Sequence, residues 1–163
     1  GLLGDVNGDG ITELPRAVLM AGYKDTSSSD AVYMLDWYAY GIGKVPTKVA
    51  TTYQNISDAW SLLIDQKWHD RITAIKANDG GLSYVEFFEY RKNKMSIPLF
   101  NIYCATGSNR EYYAERTDLI QLGQTTQAIY FAKLTNEGEQ SELALTGDEI
   151  KARFSLVNQA WNN

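Results

Sequence analysis

The chain has 163 residues, 44% apolar and 21% charged, with a net charge of −5. That is enough to bury one real core and too apolar for a disordered segment, while the acidic balance excludes a nucleic-acid partner, which needs clustered Lys and Arg. No apolar run approaches membrane-spanning length, no leader segment is visible, and the start at Gly1 without a methionine is read as a processed form or an excised piece.

In chain order, "LPRAVLMAGY" (14–23) reads as a short helix, with Pro15 in its first turn and Gly22 near its end. "KDTSSSD" (24–30) is a loop of turn and capping residues, after which Asp30 caps a helix "AVYMLDWYAYG" stopped by Gly41. "GIGKVPTK" (41–48) is a loop whose glycines are too few and misplaced for a phosphate-binding loop. Ser57 opens the longest predicted helix, 58–78, because Trp60, Ile64, Trp68, Ile72 and Ile75 recur at spacings of three or four. "NDGG" (78–81) ends it. Ser83 and Glu86 give the Ser-x-x-Glu pattern of a capping box ahead of a fourth helix, 84–94, and the basic run Arg91-Lys92-Asn93-Lys94 reads as its C-terminal end.

From Ser96 the texture changes to short β-prone runs, "IPLFNIYCAT", "TDLIQL", "TQAIYFAKL" and "SELALT". A last helix is expected after Gly147, with Ile150, Phe154, Val157 and Trp161 on one face. The fold expected from these elements is α+β: a helical N-terminal part over 1–95 carrying an EF-hand-like calcium loop, then a small antiparallel sheet and a C-terminal helix over 96–163, the two parts allowing one continuous domain.

The residues with the most specific chemistry are "GDVNGDG", 4–10. Asp5, Asn7 and Asp9 place short oxygen-bearing side chains at alternate positions, Gly10 falls where the loop must bend sharply, and Ile11 at the seventh position offers a backbone carbonyl. Ca2+ takes six to eight hard oxygen ligands, and this spacing supplies several of them. With one cysteine, Cys104, and one histidine, His69, no disulfide forms within the chain and a metal site must be built from oxygen. The twelfth position, where an EF-hand has a bidentate acid, is Arg16 and cannot ligate. Two closures are open: Glu13, at the ninth position, would close a shorter loop, as in the calcium loops of β-propeller and integrin-type repeats; otherwise an acid further along the chain closes it.

The second closure is the one a resemblance implies. "LLGDVNGDG" followed by "SSSDAVYMLDWYAYGI" resembles the calcium-binding half of a dockerin module, in which Asp30 would be the closing acid and "ITELPRAVLMAGYKDTS" an insertion within the loop. "NDGGLSYVEFFEYRKNK" looks like the back half of an EF-hand, with Asp79, Gly80, Leu82, Ser83 and Glu86 in their places, but Ile75 and Ala77 offer no side-chain oxygens at its front. Dockerins are secreted or surface-attached and plug into cohesin modules. The resemblance therefore implies an extracellular or cell-surface setting, a calcium-stabilised fold and a cohesin-like protein partner. Two further readings remain open: a structural subunit of a surface filament or adhesin that self-associates, and a carbohydrate-binding or carbohydrate-active domain.

Other residues carry less. Tyr33, Trp37 and Tyr40 read as a core stripe, and Tyr112 and Tyr113 as the better candidates for an exposed aromatic patch. His69 and Asp65 are spaced to pair on a helix, and Asn55-Ile56-Ser57 is a formal sequon that a helix cap at Ser57 explains equally well. Catalysis is not expected: no G-x-S-x-G pattern occurs, Cys104 reads as a buried strand residue, and the carboxylate pairs Glu86 with Glu89 and Asp58 with Asp65 have no visible placement across a cleft.

Overall fold

A computed structural model describes residues 4–27 and 29–157. The expected helical N-terminal half is absent: the segments read as helices are strands. They are β1 (Leu14–Leu19), β2 (Tyr33–Ala39), β3 (Thr47–Asn55), β4 (Trp60–Ile64), β5 (Ile72–Asp79) and β6 (Leu82–Arg91). Then come β7 (Lys94–Thr106), a short helix α1 (Arg110–Ala114), β8 (Ile120–Gln124), β9 (Ala128–Leu134), helix α2 (Gly147–Arg153) and β10 (Phe154–Leu156). Two five-stranded antiparallel sheets result, in the orders β1-β2-β3-β4-β10 and β5-β6-β7-β9-β8.

The α+β expectation fails for a stateable reason. A spacing of four residues is both two periods of a strand and close to one turn of a helix. Trp60 and Ile64 are buried at that spacing, but so is Leu62 between them, while Leu63 is exposed; that alternation is a strand's. Trp68 sits on a 3-10 turn (Gln66–Trp68), Ile72 opens β5, and Ile75, expected in the stripe, is exposed. "NDGG" is not a helix stop but a two-residue hairpin, with Asp79 opposite Leu82 and Gly80 at φ 61°. The basic run is a second such hairpin, Arg91 facing Lys94, with Lys92 and Asn93 both in the left-handed region. The position expected to divide the chain, 95–96, lies within β7.

The later β-prone runs fare differently. Three of them form β7, β8 and β9, whereas "SELALT" has no strand. The expected C-terminal helix with Phe154 and Val157 on its face is not what forms: α2 is seven residues and ends at Arg153, after which Phe154 continues as β10 against β4. Trp161 lies outside the described residues.

One core joins both sheets. Met34, Tyr53, Trp60, Leu62 and Ile64 from the first meet Ile72, Val85, Phe87, Phe100, Ile102 and Tyr130 from the second, with Leu143, Ile150 and Phe154. Aromatic contacts thread it: Phe87 stacks on Phe100 at 4.9 Å and meets Tyr53 edge-on at 5.4 Å. A smaller cluster on the other face of the second sheet packs Tyr113 on Phe131 at 5.1 Å, beneath α1. The shape is a two-sheet sandwich whose loops are the places left for function.

Candidate metal centre

The loop 5–12 is pinched at its base by an isolated antiparallel bridge between Gly4 and Glu13, and the chain runs from there directly into β1. Within it the side chains turn inward. The Asp5 carboxylate accepts from the N–H groups of Gly8 (2.7 Å), Asp9 (3.0 Å) and Gly10 (2.8 Å). Asn7 accepts from the N–H of Asp9 at 3.0 Å, and Asp9 from that of Ile11 at 2.8 Å. Gly10 has φ 83°, the sharp bend expected at the sixth position, where a side chain would be strained.

Glu13 completes the group. One oxygen each from Asp5, Asp9 and Glu13 lie within 4.8 Å of one another. At that separation two unit charges repel by about 0.9 kcal/mol in water, and by about 3.5 kcal/mol at an effective dielectric of ~20. None of the ion pairs among the described residues includes any of the three. Glu13 itself is fully buried, and although its Oε2 accepts from the N–H of Val6 at 2.8 Å, its Oε1 has no hydrogen-bond partner among the described residues. A buried carboxylate oxygen without a partner is costly. A divalent cation bound by these acids would remove both the repulsion and the orphan, and the all-oxygen donor set suits calcium.

The structure gathers Asp5, Asn7, Asp9, Ile11 and Glu13 in one loop but leaves Asp30 outside it. Asp30 is exposed in the turn before β2, where it accepts from Ser27. Leu19 pairs with Tyr33 and Leu14 with Tyr38, so Asp30 and Glu13 sit at opposite ends of the β1–β2 ladder, about 20 Å apart at ~3.3 Å per residue. Of the acids in the second fragment, Asp79 ends β5 and Glu86 lies on β6 opposite Ile75; neither belongs to the acidic group at the first loop.

Sequence reasoning did not foresee three polar clusters. Asp36, buried on β2, accepts from Thr51 at 2.6 Å, lies 3.0 Å from His69 Nε2, and has Lys48 at 3.8 Å; His69 thus pairs with Asp36, not with Asp65. Glu89, also buried, accepts from Ser141 (2.7 Å), Arg91 (2.7 Å) and Arg71 (3.3 Å). Burial pushes its carboxyl up, but the Ser141 hydroxyl and the two guanidiniums outweigh it and hold the group below the usual carboxylate range. At one end of the sandwich a polar cleft of ≈ 430 Å³ includes Asp58, Lys76 and Ser83, with Ser83 donating to Asp58 at 2.7 Å. Beside it, burial raises the Cys104 thiol to about 11 and the Tyr130 hydroxyl to about 12. Neither is an activated nucleophile at neutral pH. These clusters join residues as far as 33, 52 and 25 positions apart in sequence, and no local pattern announces them.

The aromatics divide otherwise than expected. Trp37 is buried and donates to Thr52 at 2.8 Å, but Tyr33 and Tyr40 are exposed; Tyr112 is exposed while Tyr113 stacks on Phe131. No helix among the described residues is long and apolar enough to cross a membrane. Comparison with known proteins gives no matching family model, no matching curated protein and no matching solved structure, so the chemistry of this site rests on its own residues.

Proposed function

We propose that the chain is a calcium-binding interaction module of a secreted or cell-surface protein, in which the loop 5–13 binds one Ca2+ that stabilises the fold. The observation that carries this is the buried, unpartnered Oε1 of Glu13 beside the Asp5–Asp9 pair. Glu13 at the ninth position is the closing acid in this reading, with Asn7 and the Ile11 carbonyl as further oxygen donors. What remains of the dockerin resemblance is the chemistry of the loop; the helix face such a module would present is here the strands β1 and β2. The ion would fix the entry to β1 and so the edge of the first sheet. An extracellular setting suits it, because calcium there is abundant enough to fill a weak site.

Calorimetric titration of the chelated protein with calcium tests this. The expected result is binding of about one ion, with a dissociation constant of the order of 10⁻⁴ to 10⁻³ M for an extracellular module. Asp9→Ala is expected to abolish the binding heat. No heat at millimolar calcium, or unchanged binding by Asp9→Ala, would overturn the proposal.

A further inference from the structure

The bridge at Gly4–Glu13 and the pairing of Leu14 with Tyr38 bring the metal loop beside the β2–β3 hairpin, which is closed by Ala39 and Thr47. Both loops therefore project from the same end of the first sheet, on neighbouring strands. That end carries an unusual set of exposed apolar side chains. Ile42 is fully exposed at 104% and Val45 at 86%, and Tyr40, Ile11 and Leu14 are each exposed by two-fifths or more. Lone exposed apolar residues are ordinary; four on two adjacent loops, with Leu14 at the start of β1 beside them, are not.

The tip is a built turn. The N–H of Lys44 donates to the Gly41 carbonyl at 3.1 Å, and Gly43 takes φ 69°. The aliphatic stem of Lys44 packs over Gly41, 3.2 Å from where a Cβ would stand, leaving Ile42 at the apex. The apolar surface is thus a projecting turn that carries Ile42 and Val45, with Tyr40 just before it and Lys44 within it. A projecting turn fits a yielding interface: aliphatic side chains enter hydrocarbon while tyrosine and lysine stay at headgroup level.

Charge makes the docking conditional on the ion. Asp5, Asp9 and Glu13 stand against Lys44, since Lys48 is already ion-paired to Asp36. Without an ion this end is negative and repels an anionic surface. A bound divalent cation would cancel that excess, and the three gathered carboxylates, with Asn7 and the Ile11 carbonyl as the proposed further donors, would leave about one to three of calcium's six to eight positions for outside oxygens.

We infer that calcium binding at the loop 5–13 docks this end of the sandwich onto an anionic phospholipid surface, with headgroup phosphate oxygens completing the ion's coordination and Ile42 and Val45 entering the acyl boundary. The inference rests on the calcium reading above, and the test separates the two. Co-sedimentation is measured with phosphatidylcholine vesicles containing about a third phosphatidylserine, and with phosphatidylcholine alone, in about 1 mM calcium or in EDTA. Calcium binding is followed by calorimetry in parallel. The protein is expected to sediment with the anionic vesicles in calcium, and about tenfold less in EDTA or with the neutral vesicles. Ile42→Glu/Val45→Glu, on a fully exposed turn, is expected to lose sedimentation by about tenfold while binding calcium as the parent does. Calcium binding without sedimentation overturns the docking and leaves the metal site standing. Equal sedimentation in EDTA, equal binding to neutral vesicles, or an unaffected Ile42→Glu/Val45→Glu variant each overturn it too. So does a parent that is dimeric by gel filtration without vesicles and made monomeric by that variant, since the turn would then pack on a second copy. No calcium heat at all removes both proposals.

Discussion

Glu13 is the residue on which the proposed metal site turns, because its energetics would change sign with a bound ion. Without calcium it is a fully buried carboxylate with one unpartnered oxygen beside two other acids. Glu13→Gln keeps the shape and removes the charge, so in EDTA it is expected to raise the melting temperature. In saturating calcium the order should reverse, because the variant loses a charged ligand. A thermal melt of both proteins in both buffers checks the crossover; a variant less stable in both would show that the carboxylate serves the fold and not an ion. Glu89 behaves oppositely, its buried charge being matched by Ser141, Arg91 and Arg71. Its folded pKa is depressed, so its contribution is fully present above the unfolded value, about 4.3, and is lost as pH falls from there through the folded value. Urea unfolding across that range should show stability falling on acidification, and Glu89→Gln should flatten this acid limb.

At the level of elements, the turn geometry of the loop 5–13 was legible in sequence and the strands around it were not. The alternate oxygens of "DVNGDG" and the glycine at the bend are a local code, written in consecutive residues and realised by bonds spanning no more than seven positions. Strand against helix is instead decided by which faces are covered. Thr146 and Ser83 show this directly, each followed three residues later by glutamate. Thr146 caps α2, accepting from Glu149 N–H at 3.1 Å in a reciprocal capping box. Ser83 instead sits within β6 and donates to Asp58, because residues 85, 87 and 89 alternate into the interior and pair with β5 and β7. The same four-residue pattern thus has two outcomes, chosen by tertiary contacts. Thr146→Ala is expected to cost about 1 kcal/mol, read as a fall in urea midpoint with unchanged slope; a value near zero would mean the short helix is held by Ile150 alone.

For the whole molecule, the two sheets share one core, so an ion bound at the edge of the first sheet would be linked to the stability of both. That core runs in sequence from Met20, just after β1, to Phe154 in β10, both buried in it. A ligand that binds only the folded chain raises its stability by mass action, by about 1.4 kcal/mol at ten times the dissociation constant. For a domain of this size that is a rise of about 3–6 °C. The most direct measurement is therefore the melting temperature of the unaltered protein in EDTA and in calcium at ten times the calorimetric dissociation constant. A single transition moved upward by about that amount, in calcium and not in the Asp9→Ala variant, is the expected result. An identical melting temperature in both buffers would contradict a calcium-stabilised fold and leave "GDVNGDG" as a hydrogen-bonded turn.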